Sequence, residues 1–270
     1  RAMGFGRISA GLTSIIIDAE TPPEGSASLN AHASTLAIEL TSGQNQVIVN
    51  AGSGARFGAD WESAGRKTQS HSTLAIDNAS SARFGRIMMH TIQKNEGLID
   101  GPDSVPFDFS YGKKTKKFEA GHNGYVKATG LTHVRRLELS LDGNTVRGED
   151  LLIALEEDDK KCFAKVLDNV YFTGIPYKIR FHLHPRVLIA LDMGGAAASL
   201  TLKNGEIWIF RNISEGKLSV EPSTFFDGAH LKPRNSNQIV LSHRTKRPAS
   251  RIRWSFTKAL PTAKFSQDDY

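Results

Sequence analysis

The chain has 270 residues, with 34 Lys and Arg against 28 Asp and Glu, a formal net charge of +6, 39% apolar residues and 14 Phe. That composition excludes a disordered chain and supplies a sizeable core, as one large all-β domain or two ordinary domains. A single cysteine, Cys162, excludes an intrachain disulfide framework and a thiolate zinc cluster, so a metal site needs His, Asp, Asn or Glu.

Apolar runs such as Ile15 to Ile17 and Leu151 to Leu155 are strand-sized and far short of the roughly 20 residues of a membrane span, so no membrane partner is expected. The start at Arg1, without a signal-peptide pattern, reads as a fragment or processed product. A period of two then dominates. Leu36, Ile38 and Leu40 alternate with Ala37 and Glu39. Gly97 to Lys117, rich in Gly, Pro, Asp and Lys, reads as a long surface loop, its Lys113-Lys114 and Lys116-Lys117 pairs solvated. Leu137, Leu139 and Leu141 alternate with Glu138 and Ser140 before an Asp142-Gly143 turn. Asp150 to Asn169 fits neither period cleanly, a charged run from Glu156 to Lys161 interrupts it, and it reads as strand, turn, strand.

Tyr177, Ile179, Phe181 and Leu183 form the next alternating strand, whose polar face of Lys178, Arg180, His182 and His184 reads as solvated or domain-docking. Asn204-Gly205 between Leu200-Leu202 and Ile207-Ile209 is a strong hairpin signal, and Ile252, Trp254 and Phe256 continue the period. Many short strands joined by Gly, Asn and Asp turns, with no βαβ alternation, predict an all-β, large antiparallel β-sandwich over residues 1–260 and a tail over 261–270.

Several chemistries fail on inspection. Gly52-Ser53-Gly54-Ala55-Arg56-Phe57 lacks the last glycine of a dinucleotide fingerprint, and no Gly-x-Ser-x-Gly elbow occurs. The Trp and Tyr residues do not cluster with the Lys and Arg, so no nucleic-acid partner is expected. What stands out is polar groups flanking apolar strands: His32 entering one, Asn50 leaving the next, and His71 entering a third. Two imidazoles and an amide oxygen at strand ends are able to hold zinc, and equally able to hydrogen-bond at strand entrances. A tight turn at Gly43-Gln44 pairs Asn50 with about Ala37, so His32 reaches it only if a bulge or bend folds the chain back.

The run Asn30-Ala31-His32-Ala33-Ser34, the strand end Val49-Asn50-Ala51-Gly52 and the segment Arg66 to Leu74 resemble the heparinase II/III-like family, specifically the C-terminal β-domain of those bacterial polysaccharide lyases. There a His-Ala-Asp or His-Phe-Asp strand start, a Val-Asp-x-Gly strand end and an Ala-His-Asn/Ser-Thr segment recur in this order. His122 to Tyr125, Leu131 to Arg136 (His133 among them), Gly148 to Asp150 and Arg180 to Pro185 are similar to further landmarks. The resemblance implies zinc held by His32, Asn50 and His71, with Asn50 in the place of a family aspartate and Ser34 where many relatives carry Asp. It implies Asn30, where some members place a second histidine, as the catalytic contact to a substrate carboxylate, and Arg66 as a substrate-binding group.

It also implies a carbon–oxygen lyase for uronate-containing acidic polysaccharides, heparan-like or alginate-like. The proton at C5 is removed and the bond from C4 to the glycosidic oxygen breaks, which requires a neutralised carboxylate, a base and an acid. In the family the base and acid sit mainly on an N-terminal helical toroid of the same protein, which these residues do not supply. The chain alone is then expected to be inactive, and the parent enzyme to be periplasmic. The rival reading is a non-catalytic carbohydrate-binding or structural β-module with a vestigial metal site.

Overall fold

A computed structural model describes residues 4–77, 79–87 and 96–259. In chain order the strands are β1 (Phe5–Ala10), β2 (Thr13–Asp18), β3 (Ile38–Ser42), β4 (Asn45–Val49), β5 (Leu74–Ile76), β6 (Arg83–Arg86), β7 (Glu96–Asp100), β8 (Phe107–Tyr111) and β9 (Thr115–His122). They continue as β10 (Thr132–Ser140), β11 (Thr145–Ile153), β12 (Ile175–Leu183), β13 (Leu188–Asp192), β14 (Ala197–Thr201), β15 (Ile207–Asn212), β16 (Lys217–Phe225), β17 (Arg234–Thr245) and β18 (Ala249–Lys258). Among the described residues three α-helices interrupt them: α1 (Ala59–Arg66), α2 (Val126–Thr129) and α3 (Glu157–Asn169). None is long and apolar enough to cross a membrane.

Two eight-stranded sheets carry the fold. Sheet one runs β1-β2-β3-β4-β12-β17-β16 with β5 also on β12, and sheet two runs β13-β14-β15-β18-β11-β10-β9-β8. Every pairing is antiparallel, as short turns require. The Asn204-Gly205 and Asp142-Gly143 turns join β14 to β15 and β10 to β11, each glycine in the left-handed region that such hairpins need. The inward faces meet in a continuous core. Phe181 of sheet one packs edge-on against Trp254 of sheet two with ring centroids 4.7 Å apart, and Trp208, Phe210, Phe256, Ile15 and Ile17 are fully buried around them.

Three local expectations are corrected. Asp150 to Asn169 is not strand, turn, strand: β11 ends at Ile153 and α3 follows. The charged run is the first turns of that helix. Asp159 accepts the Glu156 backbone N–H at 3.2 Å, Lys160 and Lys161 pair with Glu157 and Asp158 three residues back, and Phe163, Val166 and Leu167 share the inward face. The long loop from Gly97 shrinks, because Phe107 and Phe109 alternate with Asp108 and Ser110 as β8, and Phe109 packs on Phe118 at 5.0 Å. The polar face of β12 is not solvated in its middle, since Arg180 and His182 are buried and His182 bonds to Ser72 and Gln69. The expected tail from Pro261 lies outside the described residues.

Candidate functional site

The outer face of sheet one near β1 to β4 carries the site. Ile15, Ile17, Ile38 and Leu40 point into the core, so by the period of two Ile16 and its register partner Glu39 point outward. Asp18 ends β2 on the same face, and Asn50 is the first residue beyond β4. The chain between β2 and β3 then folds back over this face. Arg66 and Thr68 hold it there: Ala33 N–H donates to the Arg66 carbonyl at 2.9 Å, and the Thr68 hydroxyl donates to the Ala33 carbonyl at 2.7 Å. A turn at Thr35-Leu36, with Leu36 at a φ of 62°, returns the chain to β3, and a register shift between Leu40 and Thr41 moves β4 by one residue. That bend is what brings His32 to Asn50, although His32 lies in a loop rather than at the mouth of a strand.

The resulting cavity, about 500 Å³, is lined by Asp18, His32, Ser34, Glu39, Asn50 and His71, with Phe5 and Ile16 at its rim. His32 Nδ1 lies 3.0 Å from His71 Nε2, the rings nearly perpendicular at 79°. His71 Nδ1 donates to the Lys67 carbonyl at 2.8 Å, which leaves its Nε2 as a lone-pair nitrogen, so His32 Nδ1 donates to it. Asn50 Oδ1 accepts the Ser72 N–H at 2.8 Å, and Asn50 Nδ2 donates to Glu39 Oε1 at 3.1 Å. Ser34 donates to Asp18 at 2.6 Å.

Burial sets the charges. It pushes His71 down to about 3, with neighbouring His32 adding to the effect, and it lowers His32, helped by Arg66. Both imidazoles are therefore neutral near pH 7. Asp18 is raised by burial, partly offset by its bond from Ser34. Neutral imidazoles beside two carboxyl side chains favour a cation over an anion in the cavity.

Behind the cavity lies a second network. His182 N–H donates to the Ser72 hydroxyl, which donates to the Val49 carbonyl, and the His182 ring bridges Ser223 at 2.7 Å and the Gln69 carbonyl at 3.0 Å. From sheet two, Arg135 Nη1 donates to the carbonyls of both Leu36 and Ser72 at 2.8 Å. Asp150 anchors Arg135 at 2.8 Å and also accepts from His133 and Trp254. Burial alone would raise the Asp150 carboxyl, but Arg135 and His133 outweigh it and hold it well below the usual range. His133 in turn meets His122 at 3.2 Å, and Tyr125 donates to the Leu74 carbonyl at 2.9 Å, so these landmarks are buried structure.

Of the expected site residues, the structure gathers His32, Asn50 and His71 in one cavity and leaves two outside it. Asn30 is the exposed last residue of a 3₁₀ turn (Gly25–Asn30) and does not line the cavity. Arg66 does not line the cavity either. It is 3% exposed, its three guanidinium nitrogens donate to the carbonyls of Ala31, Glu96 and Ser28, and its plane lies 4.9 Å from the Phe84 ring. Those bonds fasten the loop that carries His32. Asp18 and Glu39 are cavity residues that the sequence reading missed; the alternation around Glu39 already placed it outward on the strand beside Asn50. His184 is half-exposed, and its ring accepts the Arg186 N–H at 3.2 Å.

The donor set matches a divalent cation in part. Two imidazole nitrogens converge and His71 is oriented by a backbone carbonyl, as metal-binding histidines are. Among the described residues no three His, Cys, Asp or Glu side chains gather as a ligand group, so a metal here would need the neutral Asn50 oxygen, which accepts the Ser72 N–H, as its third protein donor.

The family described as Heparinase II/III-like, C-terminal, matches residues 1–255. FtsZ-localized protein C of Caulobacter vibrioides (strain NA1000 / CB15N) is 30% identical over 260 residues, which are 95% of this chain and 42% of that protein. Among solved structures, heparan sulfate lyase HepC from Pedobacter heparinus superimposes with a TM-score of 0.68 at 14% identity, over 94% of this chain and 35% of that one. The heparinase III BT4657 gene product gives 0.67 at 13% identity, over 95% and 35%. The chain thus spans well under half the length of these relatives, and at such identities the solved structures speak for the fold. With the sandwich, the ordered His32, Asn50 and His71 segments and a match over nearly its whole length, the chain belongs to the heparinase II/III-like C-terminal family.

Proposed function

We propose that this chain is the β-sandwich part of a polysaccharide lyase that cleaves uronate-containing acidic polysaccharides by β-elimination, meeting its polymer in the periplasm. A helical toroid of the same protein would complete the cleft. The observation that carries the reading is the convergence of His32 and His71 at 3.0 Å beside Asn50 in an open cavity on the sheet surface. His32, Asn50 and His71 would hold zinc, which when bound supplies positive charge to oppose the uronate carboxylate and the charge developing at C5. Asn30, exposed at the end of its turn, presents an amide to a carboxylate approaching from outside the cavity.

The chain's own residues hold and orient rather than exchange protons. His71 is neutral and tied to Lys67, and Tyr125 is buried with its hydroxyl committed to Leu74. The base at C5 and the acid at the leaving oxygen are therefore assigned to the toroid. The test is incubation of the gene's full product with heparan sulfate, unsulfated heparosan and alginate, followed by ultraviolet absorbance for the unsaturated uronate. Absorbance growth on one polymer supports the lyase; none on any of them rejects it.

A second reading has its own observation. The 30% identical relative is named for localisation with FtsZ, not for lysis of a polysaccharide, and Asn50 is a neutral group with both ends already hydrogen-bonded. This favours a non-catalytic module with a vestigial metal site. Full product that binds a polysaccharide without cleaving it, and carries no metal, would establish that reading.

A further inference from the structure

We infer that Phe57, Trp61 and Phe226 form a sugar-ring subsite adjoining the His32–His71 cavity, taking one pyranose ring of the polysaccharide; this rests on the saccharide reading above. Phe57 and Trp61 lie four residues apart, on the turn before α1 and on α1, and Phe226 directly follows β16. Phe226 packs with Trp61 at 5.4 Å and with Phe57 at 5.8 Å. Trp61 is 41% exposed, whereas the other two tryptophans, Trp208 and Trp254, are fully buried.

Glycines fix this platform to the cavity. Gly52 lines the cavity, and the Phe226 N–H donates to the carbonyl of its neighbour Ala51 at 2.7 Å. A Cβ on Gly54 would stand 2.0 Å from the Trp61 carbonyl oxygen, and one on Gly65 would stand 2.8 Å from the Gly52 oxygen. Only bare backbone lets α1 lie this close to the strand end that carries Asn50. The indole is thus held one short segment away from the imidazole pair, on rigid supports.

The rim decides the ligand class. Around the rings stand Arg56, bonded to the Gly228 carbonyl, and Asp227, which pairs with His230 at 2.9 Å and Arg234 at 3.5 Å; Asp60 is exposed on α1. The charges nearly balance, so net charge does not drive binding as a polyanion-binding strip would require. An exposed indole with Arg56 and Asp227 beside the rings matches a pyranose, whose C–H face stacks while its hydroxyls pair at the edge.

Trp61 reports on its own occupancy. The 270-residue chain is titrated with a heparan sulfate tetrasaccharide, following calorimetry, tryptophan emission and acrylamide quenching. The subsite predicts a changed emission, quenching at least halved at saturation, and for Trp61→Ala about tenfold weaker binding, of the size of one lost aromatic contact. Trp61→Phe should stay within about threefold of wild type, with the unfolding midpoint unmoved in both variants. Binding with unchanged affinity in Trp61→Ala and unmoved emission overturns the subsite and leaves the saccharide reading intact. No calorimetric binding of the tetrasaccharide by wild type overturns the subsite, and the saccharide reading then stands or falls on the absorbance test of the full product.

Discussion

One guanidinium nitrogen of Arg135 donates to the Ser72 carbonyl at 2.8 Å, so a side chain rooted in sheet two holds the residue that follows His71 beside sheet one. The same nitrogen also reaches Leu36, at the bend that returns the His32 loop to β3. Arg135 and Asp150 are both fully buried. Arg135→Met leaves the Asp150 carboxylate without its cation, and a loss of about 3–5 kcal/mol in urea unfolding is expected. The Asp150→Asn partner should lose less in the Arg135→Met background than alone. Equal losses in both backgrounds would show that the two side chains are not coupled.

Metal content separates a working site from a vestigial one. Elemental mass spectrometry of the purified chain, wild type beside His71→Ala and without chelator, should find about one zinc per chain that the variant loses. Asn50→Asp should bind zinc more tightly than wild type in competition with a chromogenic chelator, because a carboxylate replaces a neutral oxygen. Equal affinity in Asn50→Asp would remove Asn50 from the ligand set.

Arg66 should matter to stability and not to recognition. Arg66→Met strips donors from three backbone carbonyls, that of Ser28 buried, and a loss of about 1–3 kcal/mol is expected in the unfolding free energy. Affinity for a tetrasaccharide, measured by calorimetry at a temperature where the variant is folded, should be close to wild type. A large affinity loss with an unchanged unfolding midpoint would return Arg66 to the binding surface.

Acid should weaken the fold well before most carboxylates titrate. His71 and His182 are pushed down to about 3 and about 4 by burial, and His122 and His133 are lowered too. An unfolded histidine takes a proton near pH 6.5 while these folded ones do not, so the unfolded state binds more protons between about pH 6.5 and 3. Stability is therefore full above that window and falls as pH drops through it, by up to about 1.4 kcal/mol per pH unit for each such group. Asp18, raised by burial, works in the opposite sense above the ordinary carboxylate value. Thermal midpoints measured from pH 8 to 4 should decline; a flat profile would mean that these rings are protonated in the fold.

The sandwich was legible because a period of two survives burial on one face: Tyr177, Ile179, Phe181 and Leu183 announce β12 without any tertiary information. Helix α3 was not, because the three-and-four spacing of Phe163, Val166 and Leu167 is short and lies behind a charged run and the apolar end of β11, so the whole stretch fits neither period cleanly. The family resemblance selected His32, Asn50 and His71, while spacing left their meeting open, since it depends on a left-handed Leu36 and a shifted register that no local pattern encodes. Arg66 was hard to place for a related reason. An arginine satisfied by three backbone carbonyls looks, in sequence, the same as one facing solvent.

The Lys67 carbonyl that accepts from His71 also fixes the tautomer of a ring it does not touch. With His71 Nε2 lacking hydrogen, the free site keeps His32 protonated on Nδ1. A ligand that takes both facing lone pairs must drive that hydrogen to Nε2, a shift across one ring with no change in charge. Cation binding here should then be nearly independent of pH above the histidine range, and the empty and filled states should differ in the ¹⁵N resonances of a single imidazole.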